Sequence, residues 1–146
     1  TKKNIADVFN NGMEYFNSFG GNPVSCEIGQ AVLDVIKEEK LQENASSTGN
    51  HLLEGLKNIQ KKYNIIGDVR GRGLFIGIEL TKDMVNMVPA ADEAEIVVNA
   101  MKKKGILISS DGPDHNVLKI KPPLVFNKKN ANYFLESFEA VISKIF

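Results

Sequence analysis

The sequence predicts an α+β fold, with helices packed on one face of a small, mainly antiparallel sheet. Three observations carry this expectation. Apolar residues recur at helical spacing through two long stretches, first at Ile28, Ala31, Val32, Val35 and Ile36, then at Leu52, Leu56, Ile59 and Tyr63. The period then switches to alternation at Leu74, Ile76, Ile78 and Leu80. From residue 65 onward the pattern runs strand, strand, helix, strand, strand, helix. A sheet covered on one face must present its other face to solvent or to another domain.

The elements follow in order. Thr1 to Asn11 reads as a short helix ending near Gly12, and Tyr15 to Pro23 as a loop broken by Gly20-Gly21 and Asn22-Pro23. Asn22 suits a helix cap and Pro23 a first turn. The second long helix spans about Leu41 to Tyr63. Ile65, Ile66 and Val69 begin the sheet, Gly71-Arg72-Gly73 reads as a bulge or turn with an exposed Arg, and Leu74 to Leu80 is a strand. Residues 81–89 form an irregular connection. A helix from Ala90 to Lys104 turns Ala94, Val97 and Met101 inward and stops at Gly105. Ile106 to Ser109 is a short strand, Asp111-Gly112-Pro113 a turn, and Val117 to Lys121 a strand ended by Pro122-Pro123. Asn127 caps a last helix that buries Ala131, Phe134, Leu135, Phe138, Ile142 and Ile145.

Bulk properties exclude several function classes. Lys+Arg and Asp+Glu are both 18 among 146 residues, so no net charge favours nucleic acid or a membrane surface. No apolar run is long enough to span a bilayer. The single Cys26 has no internal disulfide partner and no adjacent His, and is expected to be a buried structural thiol. His51 and His115 are both expected to be solvated, and two distant histidines with one cysteine make no metal constellation. The chain begins at Thr1 with no initiator Met and no signal-peptide pattern, and is expected to be a piece of a longer protein.

Two features invite a functional reading beside a plain one. Gly20-Gly21-Asn22-Pro23 opens a helix, where free amides and the dipole favour anions. Pro23 removes one amide and no P-loop lysine follows, which favours an ordinary helix entry. Lys119 and Lys121 lie two apart in a strand, so both point away from the apolar Leu118 and Ile120. They make either a solvated sheet face or a cationic face turned toward an anionic ligand or neighbouring domain.

The stretch Met13-Glu14-Tyr15-Phe16-Asn17-Ser18-Phe19-Gly20-Gly21-Asn22-Pro23-Val24-Ser25-Cys26 resembles the segment just after the cofactor lysine of class III aminotransferases. The resemblance continues through Gly67-Asp68-Val69-Arg70-Gly71-Arg72-Gly73-Leu74-Phe75-Ile76-Gly77. It continues again through Ser110-Asp111-Gly112-Pro113 and Asn116-Val117-Leu118-Lys119-Ile120-Lys121-Pro122-Pro123, the last most like the alanine–glyoxylate aminotransferase 2-like subgroup, which includes phospho-lyases of ethanolamine phosphate and 5-phosphohydroxylysine.

The resemblance implies the C-terminal part of the pyridoxal-phosphate-dependent transferase fold type I, in a homodimer with active sites at the subunit interface. Residues 1–22 would end the large cofactor domain, 23–63 would form interdomain helices, and 64–146 the small C-terminal domain. The Schiff-base lysine is expected upstream of this chain, so no catalytic residue is assigned within it. Ser18 takes the position of a Thr that reaches the cofactor phosphate of the other subunit, and keeps its hydroxyl. Lys119 takes the position of an Arg that binds the substrate carboxylate. A lysine is a point charge and not a bidentate fork, which suits a phosphorylated amine better than a carboxylate. The implied activity is therefore phospho-lyase or aminotransferase, in an intracellular compartment, cytoplasmic or mitochondrial. The rival reading is a free-standing α+β ligand-binding or regulatory module.

Overall fold

In the computed structural model, which describes every residue from Thr1 to Phe146, the chain divides into two units, Thr1–Glu38 and Glu39–Phe146. The first holds α1 (Lys3–Phe9) and α2 (Pro23–Glu38). An i,i+4 ion pair, Lys3 to Asp7 at 2.7 Å, lies along α1. The Phe9 and Tyr15 rings meet edge to face at 5.6 Å. Asn22 caps α2 as expected, its Oδ1 accepting from the amides of Val24 and Ser25 at 3.0 and 3.2 Å. The apolar stripe of α2 buries no residue, and Cys26 is exposed, not buried. Periodicity shows that a face is apolar; burial also needs a partner, and this unit supplies none.

The second unit is the α+β layer. It runs α3 (Leu41–Gln60), β1 (Ile66–Arg72), β2 (Phe75–Asp83), β3 (Val88–Pro89), α4 (Ala91–Lys103), β4 (Ser109–Asp111), β5 (Val117–Ile120) and α5 (Lys128–Ile145). The strands order as β1-β2-β5-β4, every pair antiparallel, with β3 added to β2. Alternation decides the faces. Ile76, Ile78 and Leu80 of β2 and Leu118 and Ile120 of β5 are buried and join Leu52, Leu56, Val97, Met101 and Phe138 in one core. At roughly 1.5–3 kcal/mol for each fully buried side chain, this core is what holds the helices to the sheet. Asn127 caps α5 through a capping box with Asn130.

Several boundaries differ from the sequence-based expectation. β1 continues through Gly71 and Arg72, so only Gly73 and Leu74 make the turn into β2. Residues 81–89 are not wholly irregular: β2 extends to Asp83, and Thr81 pairs with Pro89 in β3. β4 is shifted to Ser109–Asp111, because Ile106 and Ile108 pack against the core on the way into the sheet without pairing. β5 ends at Ile120, leaving Lys121 outside it. His51 is half-buried, its Nε2 within 2.6 Å of Asn132 Oδ1, so it bridges α3 and α5 and is not merely solvated. No helix is long and apolar enough to cross a membrane.

Candidate functional site

The uncovered face of the sheet carries the charged residues. Pairing sets them in rows across the strands. Arg70 lies opposite Gly77, Gly77 opposite Lys119, and Lys119 opposite Ser109. In the adjacent row Glu79 faces Val117, and Val117 faces Asp111. The register is pinned at one end by the buried Asn116, whose Nδ2 donates to the Leu80 carbonyl at 2.9 Å while its own carbonyl accepts from the Leu80 amide at 2.9 Å. A slip of one residue would turn Lys119 into the core.

Between the rows lies a cleft of ≈ 450 Å³ lined by Arg70, Arg72, Phe75, Gly77, Asp111 and Lys119. Gly77 keeps its floor low, since a Cβ there would sit 3.2 Å from Val117 Cγ1. Gly71 admits the β1–β2 approach, since a Cβ there would lie 2.8 Å from Ile76 Cα. Phe75 supplies an apolar wall that is mostly exposed.

The cations are not equivalent. Arg70 donates to Asp68 at 2.7 Å and to Glu79 at 2.6 Å, and these bonds, Asp68 first, raise its pKa further above its ordinary value. Lys119, one third exposed, reaches Asp111 Oδ2 at 2.5 Å. That bond, with the Gly112 amide on Oδ1 at 2.9 Å, holds the Asp111 carboxyl below the usual aspartate value. Arg72 is exposed and makes no ion pair, in keeping with the exposed Arg expected there. Lys121, beyond the strand, lines a different cleft of ≈ 380 Å³ beside Pro122 and Tyr133. The two lysines therefore do not share one site. Asp111 was missed by sequence reasoning because it looked like the start of a turn.

Ser18, in the first unit, is exposed and its hydroxyl makes no hydrogen bond. The next two amides, Phe19 and Gly20, are held by Asn17 Oδ1 at 3.0 and 3.1 Å. With the α2 amides capped by Asn22, the loop is an ordinary helix entry offering one free hydroxyl. That hydroxyl fits a single contact to a phosphate oxygen, such as that of pyridoxal phosphate. No group of three or more His, Cys, Asp or Glu is placed to hold a metal ion.

The α+β layer is that of pyridoxal-phosphate-dependent aminotransferases. The chain matches a phospholyase from Arthrobacter, solved in complex with phosphoethanolamine, with a TM-score of 0.89 and 37% identity over 99% of this chain and 34% of that one. It also matches an amine transaminase from an uncultivated Pseudomonas species, solved in its pyridoxal-phosphate-bound form, with a TM-score of 0.82 and 28% identity over 98% and 34% of the two chains. The family model for class III aminotransferases matches residues 1–142. The chain belongs to the class III aminotransferase family. Among curated relatives, the alanine–glyoxylate aminotransferase 2-like protein of Drosophila melanogaster is 47% identical over 99% of this chain. The chain spans about a third of the length of these relatives, 30% of the Drosophila protein.

Proposed function

We propose that this chain is the C-terminal segment of a homodimeric pyridoxal-phosphate-dependent enzyme that acts on a phosphorylated amine as a phospho-lyase. On this reading residues 1–22 end the large cofactor domain, 23–63 connect the domains and 64–146 form the small domain. The compartment is the cytoplasm or the mitochondrion. The observation that carries the proposal is Lys119, a single ammonium lining a cleft whose other cations are Arg70 and Arg72. An ammonium can meet a phosphate as a point charge, but it lacks the planar fork with which a guanidinium grips a carboxylate. The phosphoethanolamine complex of the Arthrobacter relative supports the same substrate class.

When bound, pyridoxal phosphate withdraws electrons from the carbon that bears the substrate amine. This chain's residues bind and orient. Ser18 donates its hydroxyl to the cofactor phosphate of the partner subunit, and Lys119 holds the substrate's anionic end. Phe75 gives the Lys119 cleft an apolar wall. The second reading, aminotransferase of the alanine–glyoxylate type, is favoured by the name of the 47% identical Drosophila relative. Assay of the full-length protein separates the two. Phosphate release from phosphoethanolamine or 5-phosphohydroxylysine supports the lyase; glyoxylate-dependent loss of alanine, without phosphate release, supports the transaminase.

A further inference from the structure

Lys119 is not a free cation. Its ammonium is 2.5 Å from Asp111 Oδ2, on the neighbouring strand and inside the same cleft. Asp111 occupies one of the ammonium's three donors, so an anion that uses Lys119 meets a carboxylate that is already there and competes with it for the charge. We propose that Asp111 is a specificity-determining residue, a built-in carboxylate competitor that screens Lys119 from carboxylate ligands and yields to a phosphate. This inference rests on the reading of Lys119 as the residue that meets the substrate's anion.

The argument is one of like against like. A substrate carboxylate offers Lys119 the same charge and the same acceptor atoms as Asp111. Asp111 is tethered across β4 and β5, so it acts at a high effective concentration and a free carboxylate gains nothing by replacing it. A phosphate monoester carries about −1.5 to −2 charges at neutral pH and three acceptor oxygens. It can engage Lys119 more strongly, and the unpaired Arg72 in the same cleft offers it a second cation. Displacement costs little. Asp111 is more than half exposed, so it can move into water, and its Oδ1 keeps the Gly112 amide as a resting partner. Arg70 shows the opposite arrangement: two carboxylates hold it, so it is the cation least available to a ligand.

The test follows the Lys119 ammonium itself by NMR in the full-length protein, titrated separately with inorganic phosphate and with acetate. In the wild type, phosphate should shift the Lys119 signal at a lower concentration than acetate does. In Asp111→Asn, which keeps an oxygen for the Gly112 amide, acetate should bind more tightly and the phosphate-to-acetate affinity ratio should fall about fivefold, the scale of an exposed ion pair. Asp111→Glu should restore the wild-type preference, which a merely structural role would not predict. The inference is overturned if acetate binding is no tighter in Asp111→Asn, or if the phosphate-to-acetate ratio does not fall in that variant. A Lys119 signal that neither anion moves also overturns it. Phosphate release from phosphoethanolamine by the same preparation then still decides the proposed reaction on its own.

Discussion

Gly49 of α3 lies directly against Gly73, the first residue of the turn between β1 and β2. A Cβ on Gly49 would fall on the Gly73 carbonyl, with the Gly73 Cα only 2.7 Å away. Gly73 itself has a φ of +55°, in the left-handed region where glycine carries least cost. The helix thus supports, without any side chain between, the hairpin that carries Arg72 and Phe75 into the cleft. Gly49→Ala should destabilise the protein by about 1–3 kcal/mol, the range for forced overpacking. Denaturant unfolding monitored by circular dichroism measures it. An unchanged midpoint would mean that the helix and hairpin separate freely.

Ser18→Ala should weaken cofactor retention in the full-length protein. A hydrogen bond to a charged phosphate is worth about ten- to a hundredfold in affinity. Ser18→Thr should be close to neutral, since it keeps the hydroxyl. Cofactor dissociation followed by absorbance gives both constants, and equal values for wild type and Ser18→Ala would remove Ser18 from the cofactor site.

Asp111 also makes a pH prediction. Its carboxyl is held below the ordinary aspartate value of 3.8, first by the Lys119 bond and next by the Gly112 amide. A carboxyl whose folded value is depressed contributes stability above its unfolded value, and that contribution is lost as pH falls through the folded value. The wild type should therefore lose more stability than Asp111→Asn between about pH 5 and about pH 2. Parallel slopes of unfolding midpoint against pH would show that the Lys119 pairing adds no net stability in solution.

Much of this was legible in the sequence, and the rest failed for identifiable reasons. The faces of β2 and β5 follow from alternation alone, which is why Lys119 was correctly turned away from Leu118 and Ile120. Asn22 and Asn127 were legible as caps because capping chemistry is local. Strand pairing is not local. Ile106 and Ile108 looked like a strand because they are apolar, yet β4 begins at Ser109, where β5 is within reach. The same shift hid Asp111 in an expected turn and with it the counter-ion of Lys119. Cys26 was misjudged because the amphipathic spacing that made α2 legible as a helix does not name the partner that would bury it.

Lys119→Ala should raise the KM for phosphoethanolamine in the full-length enzyme by about ten- to a hundredfold, since it removes the charge partner of the substrate phosphate. Lys121→Ala should change it far less, because Lys121 lines a separate cleft. Initial rates of phosphate release give both values, and equal effects would place the two lysines in one site.

The most direct test of the central claim is the preference of Lys119→Arg. The substitution keeps the charge and supplies the fork that carboxylates favour. Two values of kcat/KM are measured on the full-length enzyme, one for phosphate release from phosphoethanolamine and one for alanine–glyoxylate transamination. If Lys119 meets the substrate's anion, the ratio of the first to the second falls in Lys119→Arg relative to the wild type. A ratio that does not move, with Lys119→Ala also kinetically unaltered on both substrates, contradicts the account.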